Sequence, residues 1–404
     1  MLTLTPDEGC KMVNIVYVGI DTSKDFFDGA TVDIRGSELM ETTRYKQDIN
    51  GFQEFYDNIK EICKITKSSL LIGIESTGIY HLPLYDFLVS KGYQVRVFNG
   101  LEIRGLRKTR IRKTRTDKID AKLIANALRY CFEPEKKCPV PNELRNLREF
   151  CRIRFRLKVK RIRVKVQLVR DLDLIFPGFS NLFREKLSAR LTKLLKHACT
   201  PKEIQKMSIE DLRKYVPETK AIQIKELANK SKGATNLDKA IKFEIKSLIR
   251  EGKLIENEMQ KVENKIEREL NKTIHPVRTI IGIGPVTSAI IIAELGDINK
   301  FNGPNKIVAF AGIDPVIKES GKSRHEYRIS KRGSKRLREA LFQAAFTSST
   351  LNPVIKEYYK RKRAEGKCHK DAIICCARKL CHIIYSVWKN NKPFYVPSNI
   401  SSEK

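Results

Sequence analysis

The sequence predicts an α/β domain, followed by a long coiled coil and a mainly α-helical C-terminal region. Residues 13–99 alternate between short β-branched runs and stretches with helical spacing. Apolar residues then recur every seven positions between residues 241 and 270. After residue 275, glycine and proline punctuate the chain before three helical stretches. These changes of pattern predict domains at 13–132, 142–272 and 273–390.

The N-terminal domain is expected to begin with strands and to continue with alternating strands and helices. The predicted strands are 13–20, 26–34, 38–45, 70–74 and 93–98, and the predicted helices are 50–62, 81–89 and 117–130. In the first helix, Phe52, Phe55, Ile59 and Ile62 have the spacing of one helix face. This order of elements implies a mixed sheet flanked by helices.

Two long helices are expected in the central region. Residues 152–170 hold nine Lys and Arg and no acid, interleaved with apolar residues. A period-two run of this length would be an unusual strand, so we predict a helix with a basic face. Ile241, Leu248, Ile255 and Val262 form a heptad seam, which predicts a coiled coil. One helix cannot bury that seam alone. We expect it to pair with the basic helix, a second protomer, or both, and the protein to be at least a dimer.

The charge of the chain requires an anionic partner. It carries 79 Lys plus Arg against 47 Asp plus Glu, a formal net charge of +32. A surplus this large and clustered favours a polyanion such as nucleic acid. The longest apolar runs, such as Ala289–Ala293, are far shorter than the ~20 residues that span a bilayer, so no membrane partner is expected. We predict a soluble cytoplasmic protein, associated with the nucleoid when bound to DNA, with its ten cysteines reduced.

Four carboxylates stand out in this basic chain. Asp21 and Glu75 each end an apolar strand, and Asp117 and Asp120 are spaced to share one helix face. If these acids meet, they repel one another unless cations bind, and oxygen ligands suit Mg²⁺ or Mn²⁺. Two such ions could support phosphodiester chemistry. The alternative is that each acid is a separate cap or surface group, as Asp117 could be for its helix.

Two glycine-containing motifs follow. Gly282 and Gly284 lie in a segment similar to a helix-hairpin-helix turn, which would aim backbone N–H groups at a phosphate. A plain tight turn remains the alternative. Further on, Ser320-Gly321 opens a basic segment predicted to be a loop, where a nucleophilic serine and a solvated nucleic-acid-binding loop are both possible.

The candidate nucleic-acid contacts are the basic side chains of three segments and the two turn glycines. The segments are a predicted basic loop before the third helix, the basic helix, and the serine loop. These residues are Arg104, Arg107, Arg110, Arg112, Lys113, Arg115, Arg152, Arg156, Lys160, Arg163, Gly282, Gly284, Lys322, Arg324, Arg328, Lys331 and Arg332.

Taken in order, the motifs around Asp21, Glu75, Asp117-Asp120, Gly282 and Ser320-Gly321 resemble those of the DEDD family of insertion-sequence transposases, the bridge-RNA-guided recombinases. The resemblance covers nearly the whole chain, from Ile15 to about Trp388. It implies an N-terminal RuvC-like domain with a ribonuclease-H fold, a coiled coil and a C-terminal transposase domain.

The same resemblance implies a Mg²⁺-dependent (or Mn²⁺-dependent) site built from Asp21, Glu75, Asp117 and Asp120. It also implies that Ser320 attacks DNA and holds it covalently, in preference to Ser323, Ser330 or Ser334. A structured guide RNA, the bridge RNA, would pair with donor and target DNA.

Two alternative functions remain open. A RuvC-like nuclease of DNA junctions would need the four carboxylates but neither the serine nor the RNA. A non-catalytic nucleic-acid-binding protein would keep the basic surface while the acids lay apart.

Overall fold

The protein is described from a computed structural model that covers residues 15–66, 68–76, 78–107, 117–130, 141–231, 238–272, 274–320 and 323–397. The chain separates into two compact units, Met1–Pro139 and Val140–Lys404. No helix of the described residues is long and apolar enough to cross a membrane.

The N-terminal unit is a mixed α/β sheet with helices on both faces. Its strands are β1 (Ile15–Thr22), β2 (Phe26–Val32), β3 (Glu38–Lys46), β4 (Ser69–Glu75) and β5 (Val95–Phe98). Its helices are α1 (Ile49–Thr66), α2 (His81–Ser90), α3 (Gly100–Arg107) and α4 (Asp117–Tyr130). The predicted strands and helices of this unit are confirmed within a few residues at each end.

The sheet has the order β3-β2-β1-β4-β5. β1 is antiparallel to β2 and parallel to β4, and β4 is parallel to β5. Alternate residues of β1 face opposite sides, so Val16, Val18 and Ile20 join the core under α1 and α2. Tyr17 belongs to the core on the other face, under α3 and α4. The α3/α4 face is the one that carries the carboxylates.

The C-terminal unit is mostly helical, and two long helices run through it. α5 (Asn142–Ile175) has 34 residues. Four short helices follow, which the sequence analysis did not predict. They are α6 (Ala189–His197), α7 (Pro201–Lys206), α8 (Ile209–Arg213) and α9 (Glu218–Lys230). The second long helix, α10 (Asp238–Leu270), has 33 residues and packs along α5.

The remaining elements form the C-terminal part of this unit. They are α11 (Pro285–Leu295), α12 (Pro304–Ala311), β6 (Pro315–Ser320), β7 (Ser323–Ile329), α13 (Lys335–Leu351), α14 (Pro353–Ala364) and α15 (His369–Lys389). The three helices predicted after residue 334 are confirmed.

The heptad seam of α10 is buried within this chain. Leu248, Ile255 and Val262 are each at most 8% exposed. α5 runs antiparallel to α10, because Arg154 pairs with Glu263 near one end and Gln167 bonds to Glu244 near the other. The basic helix α5 therefore covers the seam. Pairing with this helix was one of the possibilities predicted from the sequence. The seam by itself no longer requires a second protomer, and the homo-oligomer stays a prediction.

The helix pair joins two hydrophobic cores. The N-terminal end of α5 and the C-terminal end of α10 pack with α11–α15, through residues such as Cys151 and Ile266. The other ends pack with α6–α9, through residues such as Leu168 and Ile245.

Candidate active site and nucleic-acid contacts

Asp21 and Glu75 end neighbouring parallel strands at the same edge of the sheet. β1 and β4 pair in parallel with Ile20 opposite Ile74, and the two acids are the next residues of their strands. Because side chains alternate along a strand, both carboxylates lie on the face that α4 covers. The sheet register therefore places them side by side.

Glycines allow α4 to approach this face closely. A Cβ added at Gly19 would lie 2.1 Å from the carbonyl oxygen of Ala121 in α4. A Cβ added at Gly73, which pairs with Gly19, would lie 2.9 Å from the Leu128 side chain of the same helix. Any other residue at Gly19 would push α4 off the sheet, whereas one at Gly73 would displace the side chains of Phe98 and Leu128. We did not identify these glycines from the sequence, although each stands two residues before a carboxylate in a repeated Gly-Ile-acid pattern.

The first turn of α4 supplies the other two predicted carboxylates. Asp117 and Asp120 both lie in this turn, three residues apart. The side chain of Asp120 is 7% exposed, whereas that of Asp117 is 57% exposed. The helix thus brings one carboxylate into the interior beside the strands and leaves the other at the rim.

Arg107, the last residue of α3, lies between two of these acids. Its Nε donates to Oδ1 of Asp120 at 2.8 Å, and its Nη2 lies 2.7 Å from Oδ2 of the same carboxylate. The same Nη2 is 3.4 Å from Oε2 of Glu75. One guanidinium therefore bridges the carboxylates of β4 and α4.

A fifth carboxylate, Asp28, belongs to the same face and was not predicted. It pairs with Asp21 across β1 and β2, and it is 2% exposed. Arg44 donates to both of its oxygens, at 3.3 and 3.0 Å, and also to Oδ2 of Asp117 at 2.9 Å. The sequence signal that could have identified Asp28 is an acid in the middle of an otherwise apolar strand.

Asp21 has no ion-pair partner among the described residues. Its pKa is raised from 3.8 to about 7, first by burial and then by repulsion from Glu75, Asp120 and Asp117, while Arg107 opposes the shift. The carboxylate cluster therefore retains an excess of negative charge, although the Arg107 guanidinium lies within it.

The donor set fits a hard divalent cation, but the present arrangement is not a formed metal site. Carboxylate oxygens are the ligands that Mg²⁺ and Mn²⁺ prefer, and crowded acids with a raised pKa favour cation binding. In the described ranges, no three acidic, histidine or cysteine groups converge on one ion position. The Arg107 guanidinium lies between Glu75 and Asp120 and contacts both carboxylates.

The predicted basic loop before α4 begins as a helix, which corrects that expectation. Residues 100–107 form α3, on which Ile103 and Leu106, three residues apart, lie on one face. Arg104 is exposed on it, whereas Arg107 turns to the acids. Arg110, Arg112, Lys113 and Arg115 lie outside the described residues.

The basic residues of α5 fall into two groups. Arg154, Arg161 and Lys165 pair with Glu263, Glu256 and Glu185, and Lys158 pairs with Glu339. Arg156, Lys160 and Arg163 are exposed and make no ion pair within the described part of the chain. These three have the spacing of one helix face. We name them the unpaired stripe.

Arg152 differs from the unpaired stripe. It pairs with Glu149 at 2.8 Å and lies 3.7 Å from Glu294, which is 3% exposed. Arg148 also lies 3.8 Å from Glu294. The Arg152 side chain therefore balances a buried carboxylate, which makes it a weaker candidate for nucleic-acid contact than the stripe.

The glycine turn is not flanked by two α-helices. A 3₁₀ helix (Pro276–Thr279) precedes it, and α11 follows. Gly282 has φ +93°, and an added Cβ would lie 2.3 Å from Oγ of Ser348, so internal packing explains this glycine. Gly284 immediately precedes α11, and a Cβ added there would meet no atom within 4 Å. Both glycines line the same cavity, so both remain candidates for contact with a ligand.

The serine segment forms a hairpin rather than the predicted loop. Ser320 is the last residue of β6, and its backbone pairs with Ser323 of β7. Arg324 and Arg328 also lie in β7. The segment differs from the predicted loop because β6 and β7 pair with each other as strands. Gly321 and Lys322 lie outside the described residues.

Two of the alternative serines already have hydrogen-bond partners. Oγ of Ser330 donates to Asp314 at 2.6 Å, and Oγ of Ser334 donates to the buried Glu294 at 2.9 Å and caps α13. Lys331 and Arg332 are exposed between these serines. The partners give Ser330 and Ser334 structural roles, which leaves Ser320 and Ser323 as the stronger candidates.

Comparison with known proteins gives a consistent result along the chain. Residues 18–177 match the DEDD_Tnp_IS110 transposase family, and residues 274–360 match the transposase IS116/IS110/IS902 family. The uncharacterized 44.8 kDa protein of insertion element IS116 from Streptomyces clavuligerus is 22% identical over 94% of this chain and 96% of its own length. The pilin gene-inverting protein of Moraxella bovis is 26% identical over 94% of this chain and 97% of its own length.

Proposed function

We propose that this chain, which belongs to the insertion-sequence transposases and is a DNA-cleaving and strand-transfer enzyme, is an RNA-guided recombinase. It would combine a metal-dependent carboxylate site with a serine nucleophile. The observation that carries the proposal is the proximity of Asp21 and Glu75, on one face of the sheet, to Asp120 in the first turn of α4.

Two architectural features support the finer assignments. The strand order, with three antiparallel strands followed by two parallel ones, is compatible with a ribonuclease-H-like, RuvC-type domain. The buried seam at Leu248, Ile255 and Val262, together with the antiparallel α5, supports a coiled coil inside the C-terminal unit.

Asp21, Glu75, Asp117 and Asp120 would hold Mg²⁺ or Mn²⁺. The ion would supply positive charge for phosphodiester chemistry. The protein itself contributes the positions of the acids, which the sheet register and the first turn of α4 set. Without an ion, burial and the neighbouring acids raise the pKa of Asp21 to about 7.

Ser320 is the proposed nucleophile, a role that rests on the family resemblance. Its hydroxyl oxygen would bond to a DNA phosphorus while the bond from phosphorus to one sugar oxygen breaks, and that oxygen would leave with a proton as a hydroxyl. Attack by the hydroxyl of a second strand would reverse the step and rejoin DNA. Basic residues around the hairpin would stabilise the extra negative charge of the transition state. They are Lys322, Arg324, Arg328, Lys331 and Arg332.

Donor DNA, target DNA and a structured guide RNA are the proposed partners. The net charge of +32 and the unpaired stripe of Arg156, Lys160 and Arg163 support binding to nucleic-acid backbone. Because the Moraxella bovis relative is named for inverting a pilin gene, DNA recombination is the proposed outcome here too. The homo-oligomer belongs to the same proposal.

The test is to purify the protein from cells that carry the DNA flanking its gene. We expect a defined RNA to co-purify and a DNA–protein adduct to survive denaturation when donor and target DNA are added. DNA cleavage without RNA or an adduct would support a junction nuclease instead. Nucleic-acid binding without cleavage would support a binding protein.

A further inference from the structure

We propose that Arg107 is a positioning residue whose guanidinium holds Glu75 and Asp120 together in the metal-free chain, and that a divalent cation must displace it. The inference rests on the proposed function, because it takes these carboxylates as metal ligands. It adds that a side chain of the protein itself competes with the metal ion for these carboxylates.

The contacts of Arg107 favour such a role. Two nitrogens of Arg107 contact the Asp120 carboxylate, Nε at 2.8 Å and Nη2 at 2.7 Å. This is the bidentate arrangement in which a planar guanidinium matches the two oxygens of a carboxylate. Nη2 also lies 3.4 Å from Glu75. One nitrogen is therefore shared by the acids of two different elements, as a bridging ion would be.

The charges explain why the guanidinium is a temporary partner. The side chains of Glu75 and Asp120 are each 7% exposed, so two negative charges lie nearly out of water. One guanidinium offsets only one of them, and Asp21 adds further negative charge nearby. A divalent ion would neutralise both carboxylates, which the arginine cannot do.

The position of Arg107 allows its side chain to leave. It is the final residue of α3, and its side chain is 24% exposed, so it already reaches solvent. Long arginine side chains keep their charged ends accessible to water, and rotation about the side chain would move the guanidinium away. The carboxylates lie on β4 and α4, which the packing of the sheet fixes.

Competition of this kind is reciprocal. If a divalent ion releases Arg107, then removing the guanidinium must strengthen the binding of that ion. It must also destabilise the metal-free protein, because the two buried acids lose their partner. A purely structural arginine would give the second effect without the first.

The experiment measures Mn²⁺ binding to the full-length, metal-stripped protein by titration calorimetry. We expect Arg107→Gln to bind Mn²⁺ about tenfold more tightly than the unmodified protein, within the usual range of coupling between two sites. Arg104→Gln is the matched control, since it removes the same charge from the same helix at an exposed position. It should leave the affinity unchanged. Unchanged or weaker Mn²⁺ binding in Arg107→Gln would overturn the inference.

A second variant and a second readout cover a failure to fold. Arg107→Lys keeps the charge but loses the fork, so we expect affinity between those of the unmodified protein and Arg107→Gln. Addition of Mn²⁺ should raise the unfolding temperature of either variant more than that of the unmodified protein. If Arg107→Gln folds under no condition, weaker Mn²⁺ binding by Arg107→Lys than by the unmodified protein would reject the inference.

Glu75→Gln separates this inference from the proposed function. If Mn²⁺ binding does not depend on Glu75, the carboxylate site itself is not the metal site, and the proposed function fails there. If binding depends on Glu75 but Arg107→Gln and Arg104→Gln behave alike, only the competition fails.

Discussion

Gly19 pairs with Gly73 across two parallel strands, and each glycine lies two residues before a carboxylate on the face under α4. A Cβ added at Gly19 would meet the backbone of α4, and one added at Gly73 would meet the side chains of Phe98 and Leu128. The closeness of Asp120 to Asp21 and Glu75 follows from this contact. The glycines thus set the separation between the two halves of the site.

Gly19→Ala should destabilise the N-terminal unit and weaken the site. The added carbon would lie 2.1 Å from the carbonyl oxygen of Ala121, so α4 must move. We expect a loss of about 1–3 kcal/mol in the free energy of unfolding, typical of overpacking. Urea denaturation measures it. Gly105→Ala is the control: no atom lies within 4 Å of its added Cβ, so stability should be unchanged or slightly higher. Equal effects of the two changes would contradict the close contact.

Asp21→Asn should change how stability depends on pH. In EDTA, the folded protein retains the Asp21 proton up to about pH 7, whereas the unfolded chain releases it near pH 3.8. The folded state therefore loses stability as the pH rises from about 4 to about 7. Asp21→Asn lacks this loss, so in EDTA it should be more stable than the unmodified protein at pH 8 and closer to it at pH 4.5. Chemical denaturation across this range measures the difference. A pH-independent difference in stability would contradict the raised pKa of Asp21.

DNA strand exchange should also stop in Asp21→Asn.

The unpaired stripe should account for more of the salt dependence of binding than the paired residues of the same helix. Combined change of Arg156, Lys160 and Arg163 to Gln should reduce the slope of log affinity against log salt by about 2–3, at 0.7–0.9 per phosphate contact. The matched control changes Arg154, Arg161 and Lys165, which already pair with acids, and should leave the slope nearly unchanged. Filter binding at several salt concentrations decides the matter, and equal slopes for the two triple variants would refute the assignment.

Ile255→Asp and Leu254→Asp separate the seam from the outer face of α10. Ile255 is 6% exposed, so a carboxylate there should cost several kcal/mol and unfold the helix pair. Leu254 is 62% exposed, so the same change should alter stability by no more than about 0.5 kcal/mol. Thermal unfolding and light scattering measure both effects. If Ile255→Asp leaves a stable, smaller species, the seam lies between protomers after all.

Ser320→Ala should abolish the covalent protein–DNA adduct, whereas Ser323→Ala should retain it. The assay needs DNA and guide RNA, with the adduct detected after denaturation. Ser334→Ala serves as a structural control: it removes the cap of α13 and the hydrogen bond to Glu294, so it should lower stability by about 1–2 kcal/mol without removing the nucleophile. An adduct that persists in Ser320→Ala but is lost in Ser323→Ala would move the nucleophile to the start of β7.

The sequence predicted the elements well where one local pattern dominated. Alternation of β-branched residues and helical spacing are short-range signals, so the strands of the N-terminal unit and the helices after residue 334 are confirmed. The β6–β7 hairpin was missed because serine, glycine and basic residues are typical of loops. The pairing of Ser320 with Ser323 depends on contacts between the two strands.

The positions of Asp21 and Glu75 near the ends of strands could be predicted from the sequence, but Asp28 and the arginine partners of the acids were not. Asp21 and Glu75 follow apolar runs, which is a local signal. Arg44 meets Asp117 across 73 residues of chain, and no short-range pattern encodes that approach. The partner of the heptad seam stayed open for the same reason, since a seam specifies an apolar neighbour without specifying which chain supplies it.

The helix pair gives the C-terminal unit mechanical leverage. At 1.5 Å per residue, the 34 residues of α5 extend about 50 Å, with one hydrophobic core at each end. A rigid arm of that length turns a tilt of a few degrees at one core into a displacement of several ångströms at the other. If α5 tilts as a rigid rod about the core around α6–α9, its other end beside α11–α15 would therefore move by more than the length of a chemical bond.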